Sequence, residues 1–352
     1  MFRGVVKLTH MKLQNLILPL AFLTACASTP TLKASACGNL DPCQTQNGIA
    51  VLAEPEIAQP ILLSAQKGRE AFQRYFGVEA APIAIVPGGE ITTDLHDDLK
   101  AAGYVSSLPW ISAVDKNKLK QSSIRRQVME QTKGMIASQQ EAILKMALAK
   151  ASSAPSPEGD MSATEQGALT HELGHLWFIA AYKPAGEEVK GRHGYGGWAP
   201  DWLDETAAIL LENETLTEKR RNAFKMMKIE DLYPLETFLT MEHPALKSAH
   251  AFNKKVVGQI PSSGTRAIVL SGEEAEAFLK ASGTSNPANF YTQARGFADY
   301  VMTMTGDEQI FAKLAQHLSL GKSFDGWLAQ TKGLPNDRTG LQKDWSAYLA
   351  AR

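Results

Sequence analysis

Apolar residues recur along this chain with two distinct periods, and the change between them divides it. Between about Ile57 and Phe76, apolar side chains at Ile57, Ile61, Leu62, Ala65 and Phe72 follow the period of a helix facing a core. Pro82-Ile83-Ala84-Ile85-Val86-Pro87 is instead a short continuous apolar run closed by Pro87-Gly88-Gly89, which predicts a strand and a turn. Trp110–Val114 predicts a second strand. From Ser123 to about Lys150 a helical stripe returns through Ile124, Val128, Met135, Ile143, Leu144 and Leu148, with Gly134 as a point where it can break. Ser152–Asp160 is a Ser- and Pro-rich loop. Beyond it the pattern is helical to the end, apart from a strand-like Arg266–Leu270. Leu232–Leu239, Trp345–Leu349 and the Met226-Met227 pair read as core. The order predicts an α+β fold, with a small mixed sheet and helices followed by a mainly helical half.

The N-terminal pattern is different again. Residues 1–25 carry Arg3, Lys7 and Lys12, no acid, and the apolar run Leu16–Leu23. The run is too short to cross a membrane, which takes about 20 apolar residues, and it reads as a secretory signal starting at Met1 or Met11. Leu23-Thr24-Ala25-Cys26 resembles the lipobox of bacterial lipoproteins. That resemblance implies cleavage before Cys26, lipidation of its thiol and a membrane anchor. Ala27 in place of Asp implies the outer membrane, facing the periplasm. Residues 26–55 then read as a small, polar tether. Within it, Cys37 and Cys43 are spaced to close a local disulfide in an oxidising compartment. The body that follows divides into an α/β part, 56–160, and a mainly helical part, 161–352.

Composition narrows the functional classes only slightly. The chain has 352 residues, with 36 Lys+Arg against 37 Asp+Glu. That length supplies a core that needs no disulfide or metal to fold. No basic surplus points to nucleic acid. Loss of residues 1–25 would remove three basic residues and no acid, leaving a net charge of −4.

The chemistry lies just after the change of pattern. His171-Glu172-Leu173-Gly174-His175 is an H-E-x-x-H motif, and Ser162…Glu165 forms a capping box ahead of it. On a helix, residues four apart share a face, so His171 and His175 can bind one metal ion while Glu172 reaches a water on it. Zinc lowers the pKa of such a water toward about 7, and a glutamate can then remove its proton as the water attacks a carbonyl. Candidates for a third ligand follow: Glu187 and Glu188 in a polar loop, His193 in a glycine-rich stretch, and Asp204 and Glu205 in Pro200-Asp201-Trp202-Leu203-Asp204-Glu205. Asp201, Asp204 and Glu212 are unranked candidates to accept hydrogen bonds from the histidines. His96, His243, His250 and His317 have no metal-like spacing and read as surface or core residues.

Trp202-Leu203-Asp204-Glu205 resembles the W-L-x-E-G segment of the gluzincin metallopeptidases, with Thr206 where glycine is common. The resemblance implies a thermolysin-like catalytic domain with Glu205 as third ligand to zinc. Phe178 and Ala181 exclude the metzincin continuation. Phe290–Tyr300 resembles a helix start in compact gluzincin-like proteins, with Ala294 in place of Ser, and implies a catalytic role for Tyr291 as an oxyanion donor. Gly88-Gly89-Glu90-Ile91 does not match the amine-binding motif of the aminopeptidase branch, so the expectation is an endopeptidase acting on peptides or proteins. The alternative is an envelope binding or assembly lipoprotein that keeps this fold without turnover.

Overall fold

The computed structural model describes residues 37, 40–88, 90–151, 161–184, 198–244, 265–266 and 288–352. The signal segment, Cys26, the loop at 152–160, Glu187, Glu188, His193 and His250 lie outside the described residues. The chain is a mixed α/β structure with a small N-terminal sheet and a mostly helical remainder.

Strands β1 (Gln44–Gln46) and β2 (Ile49–Val51) form an antiparallel hairpin. Asn47 and Gly48 both take positive φ at its turn, the conformation that matches the twist of paired strands. β2 runs parallel to β3 (Ile83–Pro87), and β3 runs parallel to β5 (Ser106–Trp110). Helix α1 (Pro55–Phe76) links β2 to β3, and α2 (Thr93–Ala101) lies between β3 and β5. The short β4 (Glu90–Ile91) pairs with β6 (Thr265–Arg266), so the predicted strand at 266–270 is described only at its first residue.

Three sequence expectations are corrected here. Residues 44–51 belong to the sheet rather than to a tether, and Ile49, Ala50 and Val51 are buried. A parallel strand covered on both faces reads as a brief apolar run without alternation, which hides it among small residues. The second strand ends at Trp110 because Ser112 accepts a hydrogen bond from the Asp115 amide (3.0 Å) and starts a helix. That helix, α3 (Ala113–Gln131), begins ten residues before the predicted start, and Gly134 at φ +96° separates it from α4 (Ala137–Ala151).

The second half comprises α5 (Ala163–Tyr182), α6 (Asp201–Leu210), α7 (Glu214–Met226), α8 (Leu235–Thr240), α9 (Ala288–Thr305), α10 (Ile310–Ser319), α11 (Phe324–Leu328) and α12 (Arg338–Ala351). One apolar core joins the sheet, α1 and these helices. Helix α5 is keyed to the N-terminal layer. The Trp177 indole donates to the Ala81 carbonyl (3.1 Å), the Tyr182 hydroxyl donates to that of Phe76 (3.2 Å), and the Trp177 ring lies against Phe72. Helix α6 is keyed to the helical layer, where Trp202 meets Phe238, Phe297 and Phe324. Leu232, Leu235, Phe238, Leu239, Trp345 and Leu349 are buried as expected, but Met226, the last residue of α7, is 84% exposed. Cys37 and Cys43 are joined as a disulfide. Among the described residues no helix is long and apolar enough to cross a membrane.

Candidate metal centre

Helix α5 starts where the Ser162 hydroxyl accepts the Glu165 amide (3.2 Å), as the capping motif predicts. Most of its side chains from Leu169 to Phe178 are buried, and His171 and His175 lie one turn apart with ring centroids 5.0 Å from each other. Helix α6 is buried along its whole length from Trp202 to Leu210, and Asp204 and Glu205 are buried with it. The two helices are in close backbone contact at Gly174, where an added Cβ would lie 2.7 Å from the Ala208 Cα. The absence of a side chain in the fourth place of the motif therefore lets α6 bring its carboxylates up to the imidazoles.

The result is a buried group of His171, His175 and Glu205 whose ligand atoms all lie within 4.8 Å of one another. Glu205 Oε1 is 3.5 Å from His171 Nε2, and Oε2 is 3.8 Å from His175 Nε2. Both Glu205 oxygens are buried without a hydrogen bond of good geometry, which is costly for a carboxylate unless an ion or close charge satisfies it. On the far side of each ring, the δ nitrogen meets another carboxylate. His171 Nδ1 lies 2.9 Å from Glu212 Oε1, and His175 Nδ1 lies 3.1 Å from Asp204 Oδ1. These contacts place the protons on Nδ1 and turn the ε lone pairs toward Glu205. Arg220 on α7 closes on Glu212 with both arms, Nε at 2.6 Å, and its guanidinium lies 5.2 Å above the Tyr291 ring.

Electrostatics agree with a cation at the centre. Burial alone would lower the His175 pKa, but the Asp204 carboxylate, then Glu205 and Glu172, outweigh it and push it up to about 9. Burial would raise the Glu205 carboxyl, yet His171, His243 and His175 hold it down to about 2. With neutral imidazoles, the carboxylates of Asp204, Glu205 and Glu212 outnumber the one guanidinium of Arg220, and Glu172 adds negative charge beside them, an excess that a cation would offset. Two imidazoles and a carboxylate are also a donor set that such ions accept, so this group could hold a metal ion.

The other predicted residues fall into place around it. Glu172 is half-buried beside the first histidine, and its charge bears on His175. Asp204 faces the δ side of His175, away from the ligand atoms, and so is not in the third-ligand position. Tyr291 on α9 is half-buried, its ring 6.2 Å from that of His171. Among the described residues Asp201 meets no histidine ring; its Oδ2 accepts the backbone amide of His243 (2.6 Å).

Two residues of the site escaped the sequence reading. His243 is fully buried, with Nε2 3.3 Å from Glu205 Oε2 and its ring 5.1 Å from that of Tyr291. It is corrected from an incidental histidine to a member of the cluster. No spacing signals it, because the fold carries it back to α6 from beyond α8. Arg220 carries a faint signal in hindsight, as a cation eight residues after Glu212. No protein-family model, curated protein sequence or solved structure matches this chain.

Proposed function

We propose that this chain is a zinc metallopeptidase of the gluzincin type. In this reading it is anchored by lipid on Cys26 to the bacterial envelope, in the outer membrane facing the periplasm, and cleaves peptide or protein substrates internally. The observation that carries it is the buried His171/His175/Glu205 group, with each imidazole backed by its own carboxylate. A small mixed sheet with helices, followed by a helical half, supports a thermolysin-like catalytic domain.

His171, His175 and Glu205 would hold the ion, and three protein ligands leave a position open for chemistry. When bound, zinc would supply Lewis acidity toward a water and toward the scissile carbonyl. Glu172 takes the proton from the attacking water and returns it to the departing amine, a task for a carboxylate beside the ligands rather than among them. Asp204 and Glu212 keep both imidazoles in one tautomer and orientation throughout. The Tyr291 hydroxyl donates to the oxygen that gains charge as the tetrahedral centre forms.

The deciding experiment joins metal analysis to cleavage of a mixed peptide library. The wild-type chain should carry one zinc and cleave peptides within their length, and a chelator should abolish cleavage. Glu172→Gln should retain zinc and lose about 10²–10⁴-fold in rate. Undiminished cleavage by that variant would refute the mechanism.

A further inference from the structure

The hairpin of α3 and α4 plays no part in the centre described above, and its composition is unlike the rest of the chain. Residues 113–151 hold eight Lys and Arg against three acids, a net +5 in a chain whose total is −1. The remainder is therefore net −6. Each helix of the hairpin packs chiefly against the other. Among its described side chains only Val128 and Thr132 are buried. Exposed apolar side chains nevertheless line it: Met129, Met135 and Ile136 near its turn are 50%, 48% and 64% exposed, and Leu119 and Met146 along the helices are 49% and 66% exposed. Arg125, Arg126 and Lys133 are exposed in the same region, and the sole acid among them, Glu130, stands 3.9 Å from Lys133 in a solvent-exposed pair.

A hairpin solvated on all sides gains nothing from methionine and isoleucine at its tip. An acidic partner alone would satisfy the cations and leave these side chains in water. The boundary of a lipid layer accommodates both, because apolar chains enter between the headgroups while Lys and Arg stems lie along them with their charges at the phosphates. We propose that the turn of this hairpin docks on an anionic lipid surface. Met135 and Ile136 enter the headgroup boundary, and Arg125, Arg126 and Lys133 pair with lipid phosphate. The proposal does not depend on the metal centre. It agrees with the lipid anchor read at Cys26, which would hold the body beside such a surface.

The test is hydrogen exchange of the full chain with vesicles of phosphatidylcholine, with and without phosphatidylglycerol. The N-terminal apolar run enters both vesicle types, and Arg3, Lys7 and Lys12 beside it favour the anionic one, so exchange is read at 125–140 and binding is compared with variants that share that segment. Amides at 125–140 should slow only with phosphatidylglycerol, and the slowing should vanish at about 0.5 M salt. In co-sedimentation, R125E/R126E/K133E should weaken the component of binding that depends on phosphatidylglycerol by about a hundredfold. M135S/I136S should weaken it as well, with circular dichroism unchanged in both variants. Equal exchange in the two vesicle types would overturn the proposal. So would binding indifferent to M135S/I136S, which would leave a contact through the cations alone with no apolar insertion. Slowing that follows protein concentration without vesicles would also overturn it and seat a second copy on the hairpin.

Discussion

His171 Nδ1 and Glu212 Oε1 meet at 2.9 Å across 41 residues of sequence, and Arg220 grips the same carboxylate from behind. Burial would raise the Glu212 carboxyl, but His171 and Arg220 hold it below the usual glutamate range. It therefore stays a charged acceptor that fixes one imidazole. Glu212→Gln keeps the shape and removes the charge, and zinc affinity measured by competition with a chromophoric chelator should fall about 10–100-fold. An unchanged affinity would mean that Glu212 does not orient His171.

Asp204 and Glu205 are adjacent in sequence and both buried, yet the structure gives them different tasks. Glu205→Ala should lose zinc on dialysis. Asp204→Asn should keep a stoichiometric ion with affinity weakened by about 10–100-fold. The reverse order, read by metal content after dialysis, would exchange their roles.

Gly174→Ala places a methyl group against the Ala208 backbone, where neither helix has a flexible side chain to move aside. Urea unfolding should show a loss of about 1–3 kcal/mol. Zinc affinity should fall in the same variant, because the displaced helix carries Glu205. Loss of stability with full affinity would show that the helices separate elsewhere.

Asp299 offers a test of pH dependence away from the metal centre. Burial would raise its carboxyl, but Arg295 and Arg221 outweigh that and hold it below the ordinary aspartate range. A depressed folded-state pKa stabilises the protein above the unfolded value near ~4, and the contribution is lost as pH falls through the folded value. Asp299→Asn leaves the buried Arg295 guanidinium without its carboxylate, so stability at neutral pH should drop by about 3 kcal/mol. Chemical denaturation across pH should show the gap from wild type narrowing below about pH 4.

The parts of the site legible in the sequence were those encoded within one helix. His171, Glu172 and His175 announce themselves by spacing, and Glu205 by the tryptophan-led helix start before it. Asp204 and Glu212 could be named as acceptors but not assigned, since which ring each meets depends on how α5 crosses α6. His243 was illegible because its place is set by a contact made after a long excursion of the chain, whereas Arg220 lies only eight residues beyond Glu212 and gives just the spacing of one charge from another. The same distinction runs through the fold. α1 and β3 follow from local periodicity, whereas β2 is three residues whose strand character comes from β3 beside it. The sequence of α3 and α4 carries one helical stripe that Gly134 can break, since a pattern one helix wide cannot show where the chain turns back.

The two helices that bring His171, His175 and Glu205 together have separate allegiances, α5 to Phe72, Phe76 and Ala81, and α6 to Phe238, Phe297 and Phe324. A cation held by His171, His175 and Glu205 would be bonded to both at once, so it would act as a rivet across a seam as well as a reagent. Cooperativity between the sheet layer and the helical layer would then depend on occupancy. With chelator, amide exchange should rise first along the facing surfaces of α5 and α6, while the aromatic clusters on either side stay protected. In such a molecule the ion sets how much of the chain unfolds as one unit.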